Sequence, residues 1–403
     1  MRAQIINQAE KVIASTYNRF PLVFEKGCKS TLWDVNGKEY TDFVAGIAVC
    51  NLGHANPEIA KALLRQADLL FHVSNLYYTL PQVELAKWLV DHSFADRVFF
   101  CNSGAEANEA AIKLARKNFY DKGNRDRFKI LTMEKSFHGR TFATLSATGQ
   151  QKIREGYDPV LSGFDFVPFN DIDALKRKMS DTVCAVMLEP IQGEGGVICP
   201  APEYILQVRQ LCDQAGALLI FDEVQTGIGR TGKFFAYDHF NVEPDIMTLA
   251  KALGNGLPIG AMLAKEATAS AFQAGAHAST FVGTPVITAA ALAVVQLFER
   301  ENIVEQCRQM GFYFKEQLMS LKDRHALVED VRGIGLLLGL KLKIAGAPIV
   351  TECMNKGFLI NCTQENILRF IPPLIITREE IDALISCLDE ILMASSKVPS
   401  TAL

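Results

Sequence analysis

From about residue 98 onward, short apolar runs alternate with stretches of helical periodicity. The runs fall at 98–101, 130–133, 164–168, 183–188, 218–221, 246–250 and 259–264. Between most of them apolar positions recur at helical spacing, as at 111, 112, 114 and 115 within 106–120, and again over 204–215. This rhythm predicts an α/β fold with a mostly parallel seven-stranded sheet, covered by helices on both faces. Ligands of such sheets gather beyond the carboxyl ends of the strands.

On either side the pattern differs. A polar helix opens the chain, and alternating runs over 30–40 flank Asn36-Gly37, a strong hairpin signal. A loop at 51–56 precedes an amphipathic helix at 57–70. After a long helix at 285–301 come a helix at 304–321, a strand at 334–342, a helix at 350–355, a strand at 367–370 and a closing helix at 378–393. These predict a smaller α+β domain, with the N-terminal hairpin packed against it. The expected division is an N-terminal segment at 1–47, a large domain at 48–290 and a small domain at 291–403. A small polar tail at 395–403 is expected to be disordered.

Composition narrows the function classes. With 403 residues, 49% of them apolar and 21% charged, the chain describes a soluble globular protein too long for one small core. A net charge of −4 gives no electrostatic footprint for nucleic acid. Ten cysteines lack any Cys-x-x-Cys pair, and none stands at metal-ligand spacing with the seven histidines. Reduced thiols and no metal site are therefore expected. The first residues do not read as a secretory signal, and the longest apolar run, 285–298, is too short to span a bilayer. A cytoplasmic protein without a membrane partner is the expectation.

Several strand ends carry candidate chemistry. Lys251 follows an apolar strand at the mouth of the turn Gly254-Asn255-Gly256. A lysine that loses water there has a lowered pKa and can attack a carbonyl; a strand-end lysine pointing at solvent also fits the stretch taken alone. Asn102-Ser103-Gly104-Ala105-Glu106 joins a strand to a helix, where free N–H groups favour a phosphate, although plain N-capping by Ser103 explains it as well. In Ser136-Phe137-His138-Gly139-Arg140-Thr141, the phenyl ring could stack on a planar group and Arg140 could grip a carboxylate. Taken singly, they read as a core ring and a surface cation.

Glu189-Pro190-Ile191-Gln192-Gly193-Glu194-Gly195-Gly196 suits a loop lining a pocket, with solvated loop carboxylates as the alternative and a structural role for Glu189. Asp222-Glu223-Val224-Gln225 ends a buried strand, Asp222 and Val224 share a face, and a buried aspartate needs a partner. Gly227, Gly229 and Gly232 match the dinucleotide pattern G-x-G-x-x-G. That reading fails because 233–238 has no helical apolar stripe.

Together, the Ser103-Gly104 cradle, the Phe137 and Arg140 stretch, the Asp222–Gln225 strand end and Lys251 resemble the class III (ornithine-type) aminotransferases. The match runs from Tyr17 to Pro373, and its combined motifs are specific. Within the family, Asn75-Leu76-Tyr77-Tyr78, Phe137-His138-Gly139-Arg140-Thr141 and Asn361-Cys362-Thr363 look most like members acting on N2-acetylornithine. The resemblance implies a fold-type I enzyme using pyridoxal 5'-phosphate (PLP), moving the distal amine of N2-acetylornithine to 2-oxoglutarate in arginine biosynthesis.

The resemblance also implies roles. Lys251 forms the Schiff base with the cofactor, Asp222 pairs with the ring nitrogen, and Gln225 bonds the ring hydroxyl. Phe137 and Val224 sandwich the ring, while Ser103, Gly104 and Ala105 hold the phosphate. Thr280 reaches the phosphate of the other subunit, making a homodimer with shared sites. Arg140, with Tyr17 nearby, binds the carboxylate of the amine donor. Arg369 takes the α-carboxylate of 2-oxoglutarate or glutamate, and Glu194 masks it when the amine is bound. One departure stands out: Val282-Gly283-Thr284-Pro285 replaces the family's Gly-Gly-Asn-Pro. A sister enzyme acting on succinylornithine, ornithine, an acetyl-lysine-type substrate or 4-aminobutyrate would keep every one of these residues. An aminomutase would need Lys251 and Asp222 but not the Arg369–Glu194 switch. A catalytically silent binding protein would need neither.

Overall fold

The computed structural model describes residues 1–396. Strands β1 (Phe24–Cys28), β2 (Thr31–Asp34) and β3 (Glu39–Asp42) pair antiparallel in sequence order. The β2–β3 turn forms because Asp34 Oδ1 accepts from the N–H groups of Asn36 (2.9 Å) and Lys38 (3.0 Å), while Gly37 takes the left-handed position at φ +82°. β1 was not readable as a strand, since Phe-Glu-Lys-Gly-Cys has no apolar alternation.

The central sheet comprises β4 (Arg97–Cys101), β5 (Lys129–Met133), β6 (Phe164–Val167), β7 (Val183–Leu188), β8 (Leu218–Asp222), β9 (Ile246–Leu249) and β10 (Gly260–Ala264). Their order is β4-β10-β9-β8-β7-β5-β6, so each expected apolar run is a strand of one seven-stranded sheet. Only β10 runs against the others, antiparallel to both β4 and β9. Every residue of β7, β9 and β10 is buried, as strands covered on both faces require. On one face lies the helix Gly104–Asp121, whose buried Ala107, Ala110, Ala111 and Ala115 permit close approach to β9 and β10.

The third sheet holds β11 (Val328–Ile334), β12 (Leu337–Leu342), β14 (Asn361–Thr363) and β15 (Ile367–Phe370), in the order β11-β12-β15-β14. Between β12 and β14 lies β13 (Phe358–Leu359), which pairs parallel with β3 and so joins the N-terminal sheet. The single strand expected at 334–342 is instead a hairpin, turned at Gly335 with φ +60°. Glu329, Asp330 and Arg332 hid its first arm from an apolar-run reading. The closing helix runs Arg378–Ser395, so it includes the first residue of the expected polar tail; 397–403 lie outside the described residues. Among the described residues, no helix is long and apolar enough to cross a membrane.

Candidate active site

The carboxyl ends of β4, β5, β7, β8 and β9 open into one cavity of about 460 Å³. β4 delivers Ser103, Gly104 and Ala105; the segment after β5 delivers Phe137 and Arg140. Beyond β7 come Glu189 and Glu194, at the end of β8 Asp222, Val224 and Gln225, and after β9 Lys251. Arg369 reaches the same place from β15, its Nη1 donating to Glu194 Oε1 at 2.5 Å. Tyr17 and Thr280 are not brought there. Tyr17 is 73% exposed in a stretch that buries nothing over 11–20, so no core contact holds it inward. Thr280 is exposed on a surface loop.

Asp222 is the most tightly held group. Its Oδ2 accepts from Asn108 Nδ2 (2.7 Å) and His138 Nδ1 (2.8 Å), and its Oδ1 from the N–H of Val224 (3.0 Å). Asn108 is fixed in turn by Thr248 Oγ1 (2.7 Å) and by donating to the carbonyl of His138 (2.8 Å). Such a fully bonded carboxylate is compensated for its burial and held in one orientation. Asn108 and His138 escaped the sequence reading. The available signals were a polar residue on the buried face of a helix and a histidine inside the Phe137–Arg140 stretch.

Lys251 is half-buried and holds φ +45°, a left-handed conformation that a side chain rarely adopts. Burial pulls its amine below the usual lysine range; Glu194 and Asp222 oppose that pull and Arg369 adds to it. Burial alone would raise Glu194, but Arg369 and Lys251 outweigh it and hold the carboxyl below its ordinary value. At Glu189 burial wins over the opposing pull of His138. Its burial pushes the carboxyl up to about 7, although it accepts from the N–H groups of Phe137 and Gly193, each at 3.2 Å. It staples two cavity loops, the structural role its loop position suggested.

The cavity suits a planar, phosphate-bearing group. Ser103 Oγ accepts from Glu106 N at 3.2 Å, which caps the helix Gly104–Asp121, while Gly104 and Ala105 at its start line the cavity. The capping reading of Ser103 therefore holds, and it leaves room for the phosphate reading. A Cβ at position 104 would stand 2.7 Å from Val224 Cγ1, so only glycine lets the helix begin against that wall. Among the described residues nothing donates to the buried Gln225 Oε1, so it can accept from a ligand. Phe137 lines the same space, with the Arg140 guanidinium 5.7 Å from its ring centroid. Among the described residues, no three His, Cys, Asp or Glu side chains are grouped to hold a metal ion. The glycines of the G-x-G-x-x-G match serve packing: no α-helix follows them, and a Cβ at Gly229 would strike Phe298 at 2.5 Å. In the departing loop, the left-handed position falls on Gly283 (φ +63°) and not on Val282, so valine is accommodated without strain.

Comparison with known proteins places this geometry. The family model for Aminotransferase class-III matches residues 12–392. The acetylornithine aminotransferase of Caldanaerobacter subterraneus subsp. tengcongensis is 50% identical, over 96% of this chain and 99% of its own length. That of Methanocaldococcus jannaschii is 48% identical, over 97% and 98%. Among solved structures, the ornithine aminotransferase from Toxoplasma gondii, with PLP at partial occupancy in its active site, superposes with a TM-score of 0.95. It is 31% identical, covering 98% of this chain and 95% of that one. The match spans all three sheets and every strand end that opens into the cavity, and the chain belongs to the class-III aminotransferases.

Proposed function

We propose that this enzyme transfers the distal amino group of N2-acetylornithine to 2-oxoglutarate, giving N-acetylglutamate 5-semialdehyde and glutamate. Run in reverse, the same steps serve arginine biosynthesis. The cofactor is PLP, which when bound supplies an electron sink for the carbon that loses its proton. Ser103, Gly104, Ala105 and the helix N-terminus would hold its phosphate, Phe137 and Val224 would flank its ring, and Gln225 would bond its hydroxyl. Asp222 would pair with the ring nitrogen. Lys251 would anchor the cofactor and serve as the proton carrier, a task suited to an amine whose pKa is lowered. Arg140 takes the carboxylate of the amine donor and Arg369 that of the acid.

The observation that carries the donor class, an amine far from its carboxylate, is the Glu194–Arg369 pair beside an exposed Arg140. Among the described residues Arg369 is paired with an anion and Arg140 is not, so a donor with its carboxylate far from the reacting amine is accommodated while Arg369 stays covered. The two acetylornithine aminotransferases sharing about half of this sequence support the same choice. Profiling kcat/KM for N2-acetylornithine, ornithine, succinylornithine and 4-aminobutyrate, each against 2-oxoglutarate, tests it. A larger value for any of the other three would remove N2-acetylornithine from the proposal.

The same reading includes a homodimer in the cytoplasm, with domains at 1–47, 48–290 and 291–403. A second copy is supported by a cluster of exposed apolar side chains: Leu69, Phe71, Leu76, Tyr77, Tyr78 and, beside Thr280, Phe281. Asn75 Nδ2 donates to Val282 O at 2.9 Å, which ties the two stretches into one surface. The opening helix Arg2–Val12 buries no residue in its own chain. If inactive Thr280→Ala and Lys251→Ala chains, mixed and reassembled, regain no activity, sites shared between copies are ruled out.

A further inference from the structure

Arg230 is fully buried, yet all its partners are neutral. Its Nη1 donates to the carbonyls of Leu336 (2.9 Å) and Pro372 (2.7 Å), and its Nη2 to the side-chain oxygen of Asn51. Burial lowers its pKa to about 10, so it remains a cation at neutral pH. Burying a guanidinium without an anion is costly, and an apolar side chain of similar volume would fill the space without that cost. What methionine or leucine cannot do is clamp carbonyls from separate segments with one planar fork.

The clamped carbonyls lie around the residue that receives the acid. Leu336 immediately precedes β12 and Pro372 follows β15, and these strands pair so that Gly339 stands opposite Arg369. Arg230 therefore grips the same end of both strands. Its own segment follows directly from the β8 end that carries Asp222 and Gln225. The tie is closed by Leu336 N donating to Arg230 O (3.1 Å), Asn51 Nδ2 to Ile228 O (2.8 Å) and Leu374 N to Asn51 O (2.7 Å).

We propose that Arg230 is a positioning residue for the acid half-reaction: it fixes the strand carrying Arg369 relative to the Asp222–Gln225 wall and so sets the reach between the carboxylate clamp and the reacting centre. This rests on Arg369 as the carboxylate-binding residue. The amine half-reaction, which uses Arg140 from the β5 side, does not depend on that reach.

The test measures the two half-reactions of the holoenzyme separately by absorbance, in Arg230→Lys, Arg230→Met and Asn51→Ser. Asn51→Ser keeps the guanidinium and shortens only one partner, so it serves if the arginine variants do not fold. A misplacement on the order of an ångström should lower kcat/KM for 2-oxoglutarate by roughly 10- to 100-fold, mainly through KM. The rate with N2-acetylornithine alone should change by less than about threefold. Equal losses in both half-reactions, or no loss in either, overturn the positioning role. Arg369→Ala separates this from the parent reading: if it leaves the KM for 2-oxoglutarate unchanged, the assignment of Arg369 fails. If it raises that KM while the Arg230 and Asn51 variants do not, only the tie fails.

Discussion

The two walls of the cavity are built on opposite plans. On the β8 wall, the carboxylate and its support are immobilised by bonds within the fold: Asp222 accepts from three donors and Asn108 is bonded at both ends of its amide. On the β15 wall, Glu194 and Arg369 meet through one short ion pair, and Glu194 sits on a glycine-rich loop at 31% side-chain exposure. The first arrangement suits chemistry that must be the same in both half-reactions. The second suits recognition that must change between them, since a single ion pair can part without disturbing a network.

The largest effects belong to the fixed wall. If Lys251 has the proposed role, Lys251→Ala should remove turnover, by roughly a million-fold or more, because it would delete the nucleophile and proton carrier together. Peptide mapping after borohydride treatment of the wild-type holoenzyme should find the label on Lys251; a label elsewhere breaks the assignment of that wall. Asp222→Asn comes next. A close charge pair at an effective dielectric near 20 is worth about 4 kcal/mol, which corresponds to roughly a thousand-fold in rate. The variant keeps the shape and loses the charge, so a kcat within tenfold of wild type would mean the charge is not what the bonds around Asp222 preserve.

That wall was also the more legible one in the sequence. Apolar runs mark strands locally, and glycine, serine and charged residues soon after them mark strand ends, so the stretches holding Ser103, Phe137, Asp222, Gln225 and Lys251 stand out locally, while their roles come from the combined motif. What fixes them could not. Asn108 and His138 meet Asp222 across 114 and 84 residues of chain, and neither is flanked by anything that announces the meeting. The reversed direction of β10 was equally hidden, because a fully buried run reads alike either way. On the other wall only the second arm of the β11–β12 hairpin is legible, because Glu329, Asp330 and Arg332 break the apolar pattern of the first. Tyr17 reads plausibly in sequence but lacks the buried neighbours that would carry it to the cavity.

Glu189 offers an intermediate test, on stability. Its carboxyl stands at about 7 in the fold against 4.5 ordinarily, so folding takes up a proton. A raised folded-state pKa contributes stability fully present below pH 4.5 and lost as pH rises through about 7. The loss amounts to about 3 kcal/mol. Glu189→Gln does not titrate, so its stability relative to wild type should grow by that amount across the window. Glu223, also raised to about 7, is common to both proteins and cancels. Parallel pH profiles in chemical denaturation would show that this staple of the fixed wall carries no protonation cost.

The smallest effect is expected at the movable wall, and it is the one that most sharpens the contrast. Glu194→Ala leaves Arg369, only 1% exposed, without its anion. An unpaired buried cation attracts any carboxylate that can reach it. Glutamate brings its α-carboxylate to that position and should gain, whereas N2-acetylornithine, which leaves Arg369 unused, should now meet a bare charge beside its reacting amine. The ratio of kcat/KM for N2-acetylornithine over glutamate should therefore fall about tenfold, or about 1.4 kcal/mol in relative transition-state stabilisation. Glu194→Gln, which keeps a hydrogen bond to the guanidinium but not the charge, should fall between the variant and wild type. If both variants lower the two donors equally, Glu194 is one more fixed support, and the two walls do not differ in the way their bonding suggests.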